Sequence, residues 1–124
     1  MAKSYTFTPQ ASFVLQDNLS EKIIDFSETF TFNSITPDKV QYGHLEINSV
    51  ITVNTEDLSG TRHHIFVKNE SEANIQIEIA NGTNPITTLF PGEFIYTMFR
   101  NNNDLKIGTL GDNLGTIKYF LIDG

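Results

Sequence analysis

The sequence predicts an all-β protein, an antiparallel β-sandwich of jelly-roll type with about eight to ten strands and no substantial helix. Three observations carry that expectation. Ile and Thr contribute 14 residues each and Phe 10, whereas Ala contributes only 4 of the 124. Such a chain suits a pleated, half-buried surface and lacks the best helix former. Apolar and polar residues alternate with period two in several windows, and no window of similar length carries a 3.6-residue stripe as well. Tight-turn dipeptides separate those windows at the spacing of short strands.

The strands are expected over 4–9, 11–16, 23–32, 44–54, 62–68, 75–80, 86–90, 94–99, 105–109 and 116–122. Within the third, Phe26, Phe30 and Phe32 share one face, with Ser27, Thr29 and Thr31 on the other. In the fourth, Leu45, Ile47, Ser49, Ile51 and Val53 alternate with His44, Glu46, Asn48 and Thr52, and Val50 breaks the pattern. Ile75, Ile77 and Ile79 alternate with Gln76 and Glu78. The best helical candidate, Asn18 to Asp25, is short enough to be a turn. Asn81-Gly82 reads as a type I′ hairpin, because both central positions need positive φ and these residues tolerate it. Pro91-Gly92 reads as a type II turn, with proline fixing the first φ and glycine supplying the left-handed second position. Ser59-Gly60, Asn101 to Asp104 and Gly111 to Gly115 read as loops.

Residues 10–124 are expected to form one sandwich domain, with 1–9 as an N-terminal arm or edge strand, since Tyr5 and Phe7 alternate with Ser4, Thr6 and Thr8. A chain of this length buries roughly two-thirds of its unfolded surface and needs no staples. Cysteine is absent, which excludes disulfides, thiolate metal sites and a cysteine nucleophile. The net charge is −7. Neither nucleic acid nor an anionic membrane is expected as a partner, because both are bound through clustered Lys and Arg. No run of about 18 apolar residues and no charged-then-apolar leader is present, so neither a span nor a secretory signal is expected.

Chemistry is sparse. His63 and His64 are adjacent on a strand and point to opposite faces, so they are poorly placed to share a metal. A zinc site from His44, one of that pair and Glu46 matches no ligand spacing, and satisfied or surface histidines are the simpler account. There is no G-x-S-x-G elbow, no H-E-x-x-H and no phosphate-cradling glycine loop, and Gly108 to Gly115 lacks the lysine and helix of a P-loop. No enzymatic activity, no catalytic residue and no cofactor are expected. The one cofactor weighed is calcium, for which Glu56-Asp57, Asn101-Asn102-Asn103-Asp104 and Asp112-Asn113 offer oxygen ligands; Asx turns explain the same residues. The sequons at Asn18, Asn69 and Asn81 lack a secretory context.

Two strands are apolar on both faces. Phe94, Tyr96 and Met98 oppose Ile95 and Phe99, and Ile117, Tyr119 and Leu121 oppose Phe120 and Ile122. Either such strands lie in mid-sheet or at a corner under a loop, or a neighbouring subunit covers the second face. The candidate subunit-interface residues are Tyr5, Phe7, Ile95, Phe99, Phe120 and Ile122.

The second half of the chain, about residues 62–122, resembles small β-sandwich virion proteins of tailed bacteriophages. The likeness rests on His64-Ile65-Phe66-Val67-Lys68-Asn69, on Asn74-Ile75-Gln76-Ile77, on Leu89-Phe90-Pro91-Gly92-Glu93-Phe94 and on Lys118-Tyr119-Phe120-Leu121-Ile122. It implies a head decoration, fibre, neck or tail accessory protein, assembled in the bacterial cytoplasm into the virion. Its partners would be itself, as a homo-oligomer, and other virion proteins. The alternative is a lectin-like module of a tail or fibre that binds host glycan or receptor, with Asn101, Asn102, Asn103 and Asp104 in the ligand loop.

Overall fold

The computed structural model describes residues 5–35, 40–48, 50–52, 62–72, 74–100, 105–111 and 113–123. Among them the fold is all-β, with antiparallel strand pairs and no helix, and so no helix long and apolar enough to cross a membrane. In chain order the strands are β1 Tyr5–Phe7, β2 Gln10–Gln16, β3 Lys22–Thr29, β4 Phe32–Ile35, β5 Val40–Ile47, β6 Val50–Thr52, β7 Arg62–Asn69, β8 Ile77–Asn81, β9 Asn84–Leu89, β10 Phe94–Arg100, β11 Leu105–Thr109 and β12 Gly115–Asp123.

Contacts divide the chain into two units, Met1–Pro37 and Asp38–Gly124. The first holds two two-stranded sheets, β1 with β4 and β2 with β3. Within the expected arm, Tyr5 of β1 is in register with Ile35 and Phe7 with Phe32 of β4. Of the short helical candidate, residues 18–21 form the loop between β2 and β3, and residues 22–25 lie in β3. Asp17 accepts hydrogen bonds at Oδ1 from the amides of Leu19 (2.9 Å) and Glu21 (2.8 Å), and Ser20 takes a left-handed φ of 68°. A carboxylate that satisfies two amides favours a turn over a helix start.

The second unit holds two four-stranded sheets, β10-β7-β12-β5 and β6-β11-β8-β9. Its core takes Ile47, Ile65, Val67, Ile117 and Leu121 from the first sheet and Ile77, Ile79, Leu89, Leu105 and Ile107 from the second. Alternation along each strand produces this, because every second residue of β7, β8, β11 and β12 points the same way. Two expected strands are divided. The stretch 23–32 breaks after Thr29, where the Phe30 amide donates to the Pro9 carbonyl (3.1 Å). The stretch 44–54 breaks after Ile47, so that β5 and β6 lie in different sheets; Val50, which interrupts the alternation, falls just past that break. The Pro91-Gly92 turn forms as expected, with the Glu93 amide donating to the Phe90 carbonyl (3.0 Å) and Gly92 at φ 89°. The other hairpin is shifted by one residue. Asn81 pairs with Asn84, leaving Gly82-Thr83 as the loop, with positive φ at Gly82 alone. That matches a type II′ turn, whose first central residue is glycine, rather than the expected type I′.

Candidate assembly face

The register of β10-β7-β12-β5 determines which residues share its two faces. Ile65, Val67, Ile117 and Leu121 face the core, with Ile95 and Tyr119 packed against them. The intervening residues form three rows on the opposite face, each running across β10, β7, β12 and β5 in turn. The first is Phe94, Lys68, Lys118 and His44; the second is Tyr96, Phe66, Phe120 and Tyr42; the third is Met98, His64, Ile122 and Val40. An outer sheet face is ordinarily polar. Here only the first row is.

The middle row is an aromatic ladder. Phe66 stacks on Phe120 with centroids 5.3 Å apart and planes 10° from parallel, while Phe94 and Tyr96 tilt against it at 5.6 Å from Phe66 and 6.3 Å from Phe120 respectively. Aromatic pairs of this geometry add to what their buried area supplies. The flanks remain open to solvent, Phe94 by 64 % and Tyr42 by 77 %. The Tyr96 hydroxyl and Nδ1 of the buried His64 share a hydrogen bond of 2.8 Å, and burial pushes the Tyr96 phenol above its usual pKa.

The histidines separate as strand geometry requires. His63 lies on the core side of β7 and His64 on the outer side, both fully buried. Exposed His44 contacts the Glu70 carboxylate through Nδ1 at 3.1 Å. Among the described residues no cluster of three His, Cys, Asp or Glu side chains could hold a metal.

The interface candidates are distributed over different surroundings. Ile95 packs against the core, and among the described side chains of β10 those facing solvent are Phe94, Tyr96 and Met98. Phe120 sits in the aromatic ladder, and Ile122 is largely buried one row further. Phe7 stacks on Phe32 at 6.2 Å in the first unit. Tyr5 and Phe99 lie in β1 and β10, but their side chains fall outside the described residues, as does the whole loop of Asn101, Asn102, Asn103 and Asp104.

Asn69, read in the sequence as a sequon, is the centre of a hydrogen-bonded node whose packing role sequence reasoning missed. The side chain of fully buried Asn69 donates through Nδ2 to the carbonyls of Ile75 (2.8 Å) and Leu89 (2.9 Å) and accepts at Oδ1 from the Ser71 amide (2.9 Å). Its backbone amide donates to Glu93 and its carbonyl accepts from Gly92. The Pro91-Gly92 turn is thereby tied to the end of β7. Ser71 continues the node, its Oγ accepting from the Thr116 amide (2.8 Å). Gly115 lies so close that a Cβ there would approach Thr109 Cγ2 to 2.7 Å and Ile77 Cδ1 to 2.9 Å. The Asn69 sequon is therefore a packing element, since glycosylation at Nδ2 requires those carbonyls to be released. No protein-family model matches the chain, and no curated protein matches its sequence.

Proposed function

We propose that the chain is a non-enzymatic structural subunit of a bacteriophage particle, a capsid decoration or head/tail accessory protein. It assembles with itself and with other virion proteins through the outer face of β10-β7-β12-β5. The second unit is read as a β-sandwich, because one core takes side chains from both of its four-stranded sheets. The observation that carries the reading is the aromatic ladder with its open flanks at Phe94, Tyr96, Met98 and Tyr42. An apolar patch of this kind on a sheet face is what subunit contacts cover. Rings that stack on one another turn their faces inward, which suits interdigitating side chains better than a sugar ring lying flat.

Light scattering on the purified chain at several concentrations tests this. A closed species of fixed stoichiometry supports assembly, and Phe120→Asp then dissociates it while the far-UV β signal stays intact. Ile95→Asp serves as a control that unfolds the second unit, because Ile95 packs against the core. A 14.0 kDa monomer throughout, whose thermal midpoint rises with sugar or Ca²⁺, would instead favour the glycan-binding module.

A further inference from the structure

The β2–β3 hairpin carries an apolar face that nothing in its own unit buries. Register places Phe13 opposite Phe26, Leu15 opposite Ile24 and Ala11 opposite Glu28, all on one side. The other side carries Ser12, Ser27, Val14 and Asp25. Phe13 is 60 % exposed and Phe26 64 %, with Leu15 and Ile24 also open. A two-stranded ribbon with an uncovered apolar face is marginal in water on its own, because its few internal contacts do not offset the entropy of ordering it.

The hairpin face and the aromatic sheet face are complementary over two rows. The hairpin reads carboxylate (Glu28 beside Ala11), aromatic (Phe13, Phe26), aliphatic (Leu15, Ile24). The two central strands of the sheet read ammonium (Lys68, Lys118), then aromatic (Phe66, Phe120), and offer no third row, because His64 and Ile122 beyond them are already buried, with Met98 open at the edge. Lys68 and Lys118 are directly opposite each other, an arrangement that disfavours the sheet unless an anion joins it. Neither forms an ion pair among the described residues, and neither does Glu28. Same-face residues recur about every 7 Å along a strand, so both faces have the same row spacing and can stack as packed sheets do.

We propose that the β2–β3 hairpin of one copy docks on the outer face of β10-β7-β12-β5 of a second copy, with Glu28 against the Lys68–Lys118 pair and Phe13 and Phe26 over the Phe66–Phe120 ladder. The exchange is reciprocal in a symmetric dimer or sequential around a ring. This assignment rests on the reading of the chain as a self-assembling subunit and names the contact that does the assembling.

The test uses the full chain in light scattering, with charge reversal as the main lever. E28K is expected to weaken the oligomer about tenfold or more, and adding K118E to E28K to recover much of that loss. The chain has no cysteine, so oxidation of a mixture of A11C copies and K118C copies is expected to give a disulfide-linked heterodimer. An oligomer indifferent to E28K and Phe26→Ser would overturn the docking while leaving assembly in place. A wild-type monomer at every concentration would overturn both. A disulfide formed only within a single chain carrying A11C and K118C together would overturn the exchange between copies.

Discussion

The two units of this chain solve the problem of β-structure differently. Every buried aliphatic side chain among the described residues lies in the second unit, where two sheets share one core. The first unit has strands, register and a well-satisfied turn at Asp17, yet none of its described residues from Thr6 to Phe32 is buried. Hydrogen bonds and alternation are thus sufficient to define a strand pair, but only burial supplies the free energy that makes one persist. The difference locates the buried core in the second unit and leaves the first with its apolar side chains exposed.

That contrast can be broken at its strong end first. Ile117→Ala is expected to destabilise the second unit by about 2–5 kcal/mol, read from chemical denaturation, because the residue is enclosed by the shared core. Asn69→Ala is expected to follow at about 2 kcal/mol, since the carbonyls of Ile75 and Leu89 each lose a buried donor. An Asn69 variant with wild-type stability would show that water replaces the side chain and that the node is dispensable. In the first unit, Phe26→Ser is expected to change monomer stability by no more than about 0.5 kcal/mol. A larger loss in the monomer would mean that the hairpin face is covered within one chain.

The smallest effect is one of pH. Burial raises the Tyr96 phenol above its usual 10.0, so the folded state holds that proton more tightly than the unfolded chain. Its contribution is fully present below about pH 10 and is lost as pH rises through the folded value. Denaturation at about pH 9 and pH 11 checks the sign: Tyr96→Phe removes this part of the alkaline loss. The effect is small because the side chain remains partly exposed.

The sequence made the strands legible where one residue's neighbours decide its state. Alternation at Ile77 and Ile79, or the turn at Pro91-Gly92, depends on local φ and ψ and on which side of the chain an apolar group leaves. It misjudged the places where a distant partner intervenes. The continuous-looking stretch 44–54 is divided because its ends join different sheets, and the hairpin near Gly82 slips by one residue with the pairing of Asn81 and Asn84. Of the candidate contact residues, Phe120 stands on the open face and Ile95 does not, although both sit in strands apolar on two sides. Period two shows that two faces exist and cannot say which of them another sheet covers.

By itself, then, the order of residues determined an all-β chain and most strand positions, because those follow from composition, side-chain period and short-range turn geometry. Only the tertiary structure decided that Asn69 ties together segments from Ser71 to Glu93, that Lys68 meets Lys118, and that Phe66 and Phe120 form a ladder. Those pairings join residues from separate strands, and strand order and register are fixed by how well whole faces bury one another, a property of the assembled sheet that no single stretch of sequence carries.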